Sequence, residues 1–236
     1  MNKPLVIANW KATNTIKEAI EWVKKAKPEL EKANHADTII CPPFTSLPIV
    51  SSLFHNSVIK VGAQDVSKFK KGAYTGEVSV EMLDGLVQYC IIGHSERRKY
   101  FGEGDDDVIA KVKLLLENKI NPILCVSDIN QIESYLDRGE EIIEAAEKII
   151  FVYEPPSAIS GGGTYRPEDP ETANKNAEEI GKKIGKRITI LYGGSVNPDN
   201  VYTFLSQKNI DGTLVGQAST DPVIFSKLLA SIKIVA

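Results

Sequence analysis

The sequence predicts an α/β protein, a single parallel (β/α)8 barrel over residues 1–236. Three observations lead there. Eight short β-branched, apolar runs alternate with longer amphipathic stretches, as in a parallel sheet with crossover helices. Most of those runs are apolar throughout, the mark of strands covered on both faces. The chain has 236 residues and neither a Pro/Ser-rich linker nor a break in composition, which suits one barrel and argues against two domains. A doubly wound open sheet competes, but it would place a glycine-rich turn after the first strand, where this chain has Asn9-Trp10-Lys11.

In chain order, the first strand is the apolar run 5–8, and Ile16, Ile20, Val23 and Leu30 then mark one face of a helix with Glu and Lys opposite. Strand 38–41 precedes a helix over 48–54, and strand 58–63 precedes one over 79–86. Strand 89–92 is followed by a helix whose face is Val108, Val112, Leu115 and Leu116. Strand 122–126 leads to a helix over 140–148, and strand 149–153 to one over 170–184. Strand 188–191 leads to a helix over 198–205, and strand 212–215 to one over 221–231. Pro170, Pro198 and Pro222 each follow Asp or Asn, the pattern of a capping residue and then proline at the first helical position. Cys125 and Glu154 lie only 29 positions apart, so the fifth βα unit is predicted to be shortened.

Composition narrows the function. Hydrophobic residues at 42% and charged residues at 25% are ordinary globular values and exclude a disordered or fibrous chain. The net charge of −3, with no Lys/Arg cluster, speaks against nucleic acid or an anionic membrane surface as partner. Cys41, Cys90 and Cys125 lie in or beside apolar runs and read as small core residues rather than a disulfide framework. Three scattered histidines give no metal-ligand spacing, and no metal is expected. The first apolar run is too short for a signal-peptide core and no stretch is long enough to span a membrane, so a reduced, cytoplasmic setting is expected.

Barrels of this kind carry their chemistry at the C-terminal ends of the strands. The residues just past these strands include Asn9 and Lys11, Gln64, His94-Ser95-Glu96, Glu154, Gly193-Gly194-Ser195 and Gly216-Gln217. Lys11 is either a solvated lysine or positive charge for an anionic substrate. His94 is either a helix-capping histidine or a catalytic one, its pKa lowered by the positive helix N-terminus so that it donates as a neutral ring. Glu154 ends a run that should be buried, where a carboxylate is costly unless it is used or ion-paired. Pro155-Pro156 leading to Ser160-Gly161-Gly162-Gly163 reads as a lid with a stiff hinge or as a plain surface loop. The glycine turns after the last two strands either cradle a phosphate or only serve tight βα turns.

Several motifs, in this order, resemble the triosephosphate isomerase family: Asn9-Trp10-Lys11, Gly93-His94-Ser95-Glu96-Arg97-Arg98, Tyr153-Glu154-Pro155, Tyr192-Gly193-Gly194-Ser195 and Asp211-Gly212-Thr213-Leu214-Val215-Gly216. Gly72-Ala73-Tyr74-Thr75-Gly76-Glu77 resembles the family's third-loop motif. The resemblance implies a TIM barrel that interconverts dihydroxyacetone phosphate and D-glyceraldehyde 3-phosphate, in glycolysis and gluconeogenesis, without a cofactor. It implies that Glu154 moves the carbon-bound proton and that His94 polarises the carbonyl, a neutral histidine electrophile being the family's known device. It further implies that Lys11 supplies positive charge, that Asn9 bonds substrate oxygens, and that Glu96 holds Lys11 from behind. Ser160, Ser195, Gly216 and Gln217 would offer N–H groups to the phosphate, with Pro155, Ala158 and Tyr192 belonging to the lid and its latch. A homodimer docked through the loop around Thr75 is implied as well.

The chain departs from the family pattern at the lid. Ser157 stands where tryptophan is usual and Ser160 where the tip glycine is usual. Gln217 replaces a second glycine and could crowd the phosphate, and Ser127-Asp128 replaces Gly-Glu. These departures keep open a phosphate-metabolite-binding barrel with weakened catalysis, and Lys11 leaves open a Schiff-base sugar-phosphate enzyme.

Overall fold

The computed structural model describes residues 3–158 and 166–232. Eight parallel strands close into a barrel in sequence order: β1 (Leu5–Asn9), β2 (Asp37–Cys41), β3 (Lys60–Ala63), β4 (Tyr89–Ile92), β5 (Asn121–Val126), β6 (Ile150–Tyr153), β7 (Thr189–Tyr192) and β8 (Gly212–Val215). Closure runs through β1, which pairs β2 from Leu5↔Asp37 and β8 from Leu5↔Gly212. The helices between them are α1 (Ile16–Lys32), α2 (Leu47–Leu53), α3 (Ser95–Phe101), α4 (Asp105–Glu117), α5 (Asn130–Arg138), α6 (Glu140–Glu144), α7 (Pro170–Ile184), α8 (Val201–Leu205) and α9 (Pro222–Ala230).

Alternating side chains divide the core in two. Ile7, Ile39, Cys41, Ile91, Ile123, Cys125, Val152, Leu191 and Leu214 fill the barrel. Their neighbours, Val6, Ala8, Ile40, Ile92 and Phe151 among them, face the helices. Trp22 of α1 anchors the outer layer, its ring 4.7 Å from Trp10 and 5.9 Å from Phe225 of α9. All three cysteines are free and buried, as core residues should be.

Local chemistry explains where the helices start. Thr15 and Glu18 form a reciprocal capping box at α1. Asp169 and Asp221 accept the first-turn N–H groups of α7 and α9, each followed by proline, as expected. The third Asn-Pro pair behaves differently. Asn197 Oδ1 accepts from Asp199 N and Asn200 N, which builds a turn, and α8 starts only at Val201.

Other predicted bounds also shift. The helix expected over 79–86 is a single 3-10 turn, Val80–Leu83, because Asp84 is extended and Gly85 takes φ +72°. β3 starts at Lys60 because Val58 points to solvent, 72% exposed. Two helices carry no predicted apolar face: α3, whose start was implied only by His94 as a helix-capping residue, and α5, which was not expected. In the fifth unit Gln131 Oε1 takes the N–H groups of Ser127 and Asp128, so the chain turns at once from β5 into α5. At nine residues α5 is short beside the fifteen of α7 and the seventeen of α1. α6 and a 3-10 turn, Ala146–Lys148, complete the return to β6. Among the described residues no helix is long and apolar enough to cross a membrane.

Candidate active site

The C-terminal ends of β1, β4, β6, β7 and β8 bring the predicted residues together. At β1, Lys11 holds φ +54°, a left-handed conformation that is rare for a residue with a side chain. Its surroundings fix it there. Asn9 Oδ1 accepts Lys11 N at 3.0 Å, and Gln64 Nε2 donates to Lys11 O at 3.0 Å and to Cys41 O at 2.8 Å. Backbone held in this way is a feature of functional sites. The fixed backbone sends Lys11 Nζ to Glu96 Oε1 at 2.6 Å. A Cβ on Gly216, past β8, would lie 3.1 Å from Lys11 Cε, so the ammonium stem runs along the β8 turn.

At β4, His94 is the N-cap of α3 and is 5% exposed. Its Nδ1 accepts Glu96 N at 3.2 Å, a contact only a lone pair can make, so the ring proton lies on Nε2. At β6, Glu154 is fully buried. Its Oε2 accepts Ser95 N at 3.0 Å, and its Oε1 lies 3.0 Å from His94 Nε2 without the alignment of a hydrogen bond. Gly193, past β7, makes room for it, since a Cβ there would come within 2.7 Å of Glu154 Cγ.

The two ionisable groups perturb each other. Burial pushes the Glu154 carboxyl up, but His94, Ser95 N–H and Lys11 together outweigh it and hold the group below its ordinary 4.5. Burial likewise disfavours the His94 imidazolium, yet the facing Glu154 carboxylate outweighs it and raises His94 above its ordinary 6.5. This corrects the expectation of a lowered value from the helix N-terminus. The nearby carboxylate is the stronger influence while it faces the ring.

At β7, Ser195 Oγ donates to Ala158 O at 2.8 Å. Tyr192 Oη accepts Glu168 N at 2.9 Å, and its ring stacks on Phe204 at 4.0 Å. Ala158 precedes and Glu168 follows the glycine-rich segment, so β7 grips the chain on both sides of it. Pro155 and Ala158 are buried. Ser160 lies outside the described residues. The backbone N–H groups of Ser195, Gly216 and Gln217 donate to no other described residue, which leaves open donors at one rim. Gln217 is exposed at the start of the turn that follows β8.

The sequence reading placed Gln64 at the rim without a role, and the structure makes it the support of the Lys11 backbone. It quoted Arg98 within a motif but gave it no role, and it missed Glu103, both of which bond the β4 turn, and Lys111, which bonds Glu103. A carboxylate between two glycines, Gly102-Glu103-Gly104, was the one available signal. Among the described residues no group of three or more His, Cys, Asp and Glu could hold a metal ion.

The family model described as triosephosphate isomerase matches residues 4–232. Triosephosphate isomerase of Solibacter usitatus is 40% identical over 247 aligned positions, covering 97% of this chain and 99% of the relative. That of Dictyoglomus turgidum is 39% identical, covering 98% of this chain and 100% of the relative. That of Aquifex aeolicus is 38% identical, covering 96% and 98%. With a closed eight-stranded parallel barrel, and with Lys11, His94 and Glu154 meeting at its C-terminal rim, the chain belongs to the triosephosphate isomerase family.

Proposed function

We propose that Glu154, His94 and Lys11 carry out the family's reaction in this chain: interconversion of dihydroxyacetone phosphate and D-glyceraldehyde 3-phosphate through an enediolate. The observation that carries the assignment is a fully buried Glu154 carboxylate 3.0 Å from His94 Nε2, whose other nitrogen is already engaged. A buried carboxylate held by so few groups is poised to leave them. When substrate enters, Glu154 gives up Ser95 N–H, removes a proton from one carbon and returns it to the next. His94 Nε2–H donates to the carbonyl oxygen as negative charge develops there, gives it that proton, and takes the hydroxyl proton from the neighbouring oxygen, so the ring ends neutral as it began. With the carboxylate turned to substrate, the cause of the raised His94 pKa is removed, and the start of α3 favours the neutral ring. No proton is gained or lost overall.

Lys11 contributes positive charge near the phosphate, and Asn9 and Glu96 hold it in place. The open N–H groups of Ser195, Gly216 and Gln217 suit the phosphate oxygens. Ser160 would join them from the lid, with Pro155, Ala158 and Tyr192 as hinge and latch. An exposed enediolate phosphate would eliminate phosphate, so exclusion of water protects the intermediate as well as strengthening each charge interaction. In a coupled assay the protein turns over both triose phosphates, and binding without turnover would overturn the assignment.

We further propose one domain, a cytoplasmic location, consistent with three free buried thiols, and a homodimer. Residues 71–77, which include Thr75, are exposed. Tyr74 is 45% exposed, as is Met82 at 56%, and Tyr74 stacks on Phe69 at 4.1 Å, which presents a preformed apolar surface. Light scattering should give the mass of two chains. A fully active single chain would refute the link between assembly and activity.

A further inference from the structure

We propose that Glu103 and Arg98 are positioning residues for His94, clamping the peptide planes on both sides of Gly93. The inference rests on the assigned role of His94. Gly93 immediately precedes it and takes φ +67°. A Cβ at Gly93 would meet Arg98, the Cys125 carbonyl and Val108 at 3.2 to 3.3 Å, so the turn is both left-handed and crowded. Its N–H donates to Glu103 Oε1 at 2.9 Å, and its carbonyl accepts Arg98 Nε at 2.9 Å. Both bonds are charge-assisted, stronger and more directional than a neutral turn would supply.

Each clamp is itself held. Glu103 Oε2 accepts Arg97 Nε at 2.7 Å and Lys111 Nζ at 2.6 Å. Arg98 reaches Asp105 at 2.8 Å and Tyr135 Oη at 2.7 Å. Lys111 is 4% exposed and Glu103 is 7% exposed. Burying a charge network of this kind gains little stability over an apolar core of the same shape, so its effect is to fix geometry. What it fixes is the turn that aims His94 Nε2. Small errors there are costly, because a displacement of about 1 Å in a catalytic group can lower the rate about 100-fold.

Glu103 bonds the Gly93 N–H and not the His94 ring, so its influence on the ring runs through the backbone. Asp65 supplies a control. It binds Lys111 at 2.7 Å and Arg97 at 2.9 Å in the same network but makes no bond to Gly93.

The test compares Glu103→Ala, Glu103→Gln, Arg98→Lys and Asp65→Asn by steady-state kinetics, thermal melting and 15N NMR of the His94 ring. Glu103→Ala is expected to lower kcat by about 10-fold or more with KM nearly unchanged, and to move the His94 Nδ1 and Nε2 signals. Glu103→Gln keeps an acceptor for Gly93 N–H and should recover most of kcat, although it melts as early as the alanine variant. Asp65→Asn should melt early with unaltered kcat and ring signals. If kcat instead follows melting temperature across all three, the network is merely structural and the proposal is overturned. Should Glu103→Ala fail to fold, Arg98→Lys reads the same clamp from the carbonyl side: a lowered kcat with moved ring signals supports the proposal, and unchanged values sink it. The ring signals report on the clamp even if the wild-type protein proves inactive, so failure here differs from failure of the catalytic assignment.

Discussion

Glu154→Gln should lower kcat by about 1000-fold, within the range for loss of a general base, while KM moves only severalfold. The amide has the shape of the carboxylate and can still accept Ser95 N–H, so the pocket around the fully buried side chain stays filled. It cannot take a proton from carbon. Folding should survive, because removing a charge from a buried site offsets the lost attraction to His94. Two pH effects accompany the change. The Glu154 carboxylate is what raises His94, so in the variant the ring should titrate at lower pH than in the wild type and stay neutral over a wider range. The second concerns stability. The folded-state pKa of Glu154 is depressed, so its stabilising contribution is present above its ordinary 4.5 and is lost as pH falls through the folded value. Acid should therefore remove this contribution from the wild type, and the variant has none to lose. A 15N titration of His94 and melts across acid pH check both. Full activity in the variant would falsify the assignment of the base.

How much of this was legible depended on the range of the interactions. All eight strands could be read because each is a dense apolar run whose pattern is set within a few residues. α3 could be inferred only at its start, from His94 as a capping residue, and not from periodicity. Its sequence, Ser-Glu-Arg-Arg-Lys-Tyr-Phe, buries no residue, so it carries no apolar face. It is stabilised instead by His94 at its start and by Gly102, with φ +67°, at its end. α5 buries only Ile132 and Tyr135, too few to show a period. The expected helix over 79–86 failed for the opposite reason, since Val80 and Leu83 are buried by a single turn that ends before Gly85.

The site shows the same division. Lys11, His94 and Glu154 could be placed because each follows directly on a strand, and a barrel brings strand ends to one rim. The direction of the His94 shift could not be derived. The helix N-terminus is local in sequence, but the opposing carboxylate comes from β6, 60 positions away. The left-handed Lys11 backbone was hidden for a similar reason. It depends on Gln64, whose amide spans from the β3 end to the β1 loop. Glu103 reaches Gly93 from ten positions on, outside any quoted motif, and Arg98 stands in the motif but its bond to the Gly93 carbonyl depends on how the turn folds.

Lys11→Met should lower kcat/KM by about 1000-fold, through a raised KM as well as a lowered kcat. The double effect separates it from the base variant. In the proposed reaction Lys11 acts on bound substrate as positive charge, in a site that also holds the carboxylates of its ion-pair partner Glu96 and of Glu154. Methionine keeps the apolar stem beside Gly216, so packing survives while Glu96 loses its partner at 2.6 Å. Repulsion of the substrate phosphate then weakens binding, and the enediolate loses a stabilising charge. Lys11→Gly tests whether the backbone conformation itself matters. Glycine adopts φ +54° without the strain a side chain brings, so this variant should fold at least as stably as Lys11→Met and be equally impaired. Equal impairment with different stability places the function in the ammonium and the strain in the backbone that aims it. A KM unchanged in both variants would show that the charge of Lys11 does not reach the substrate.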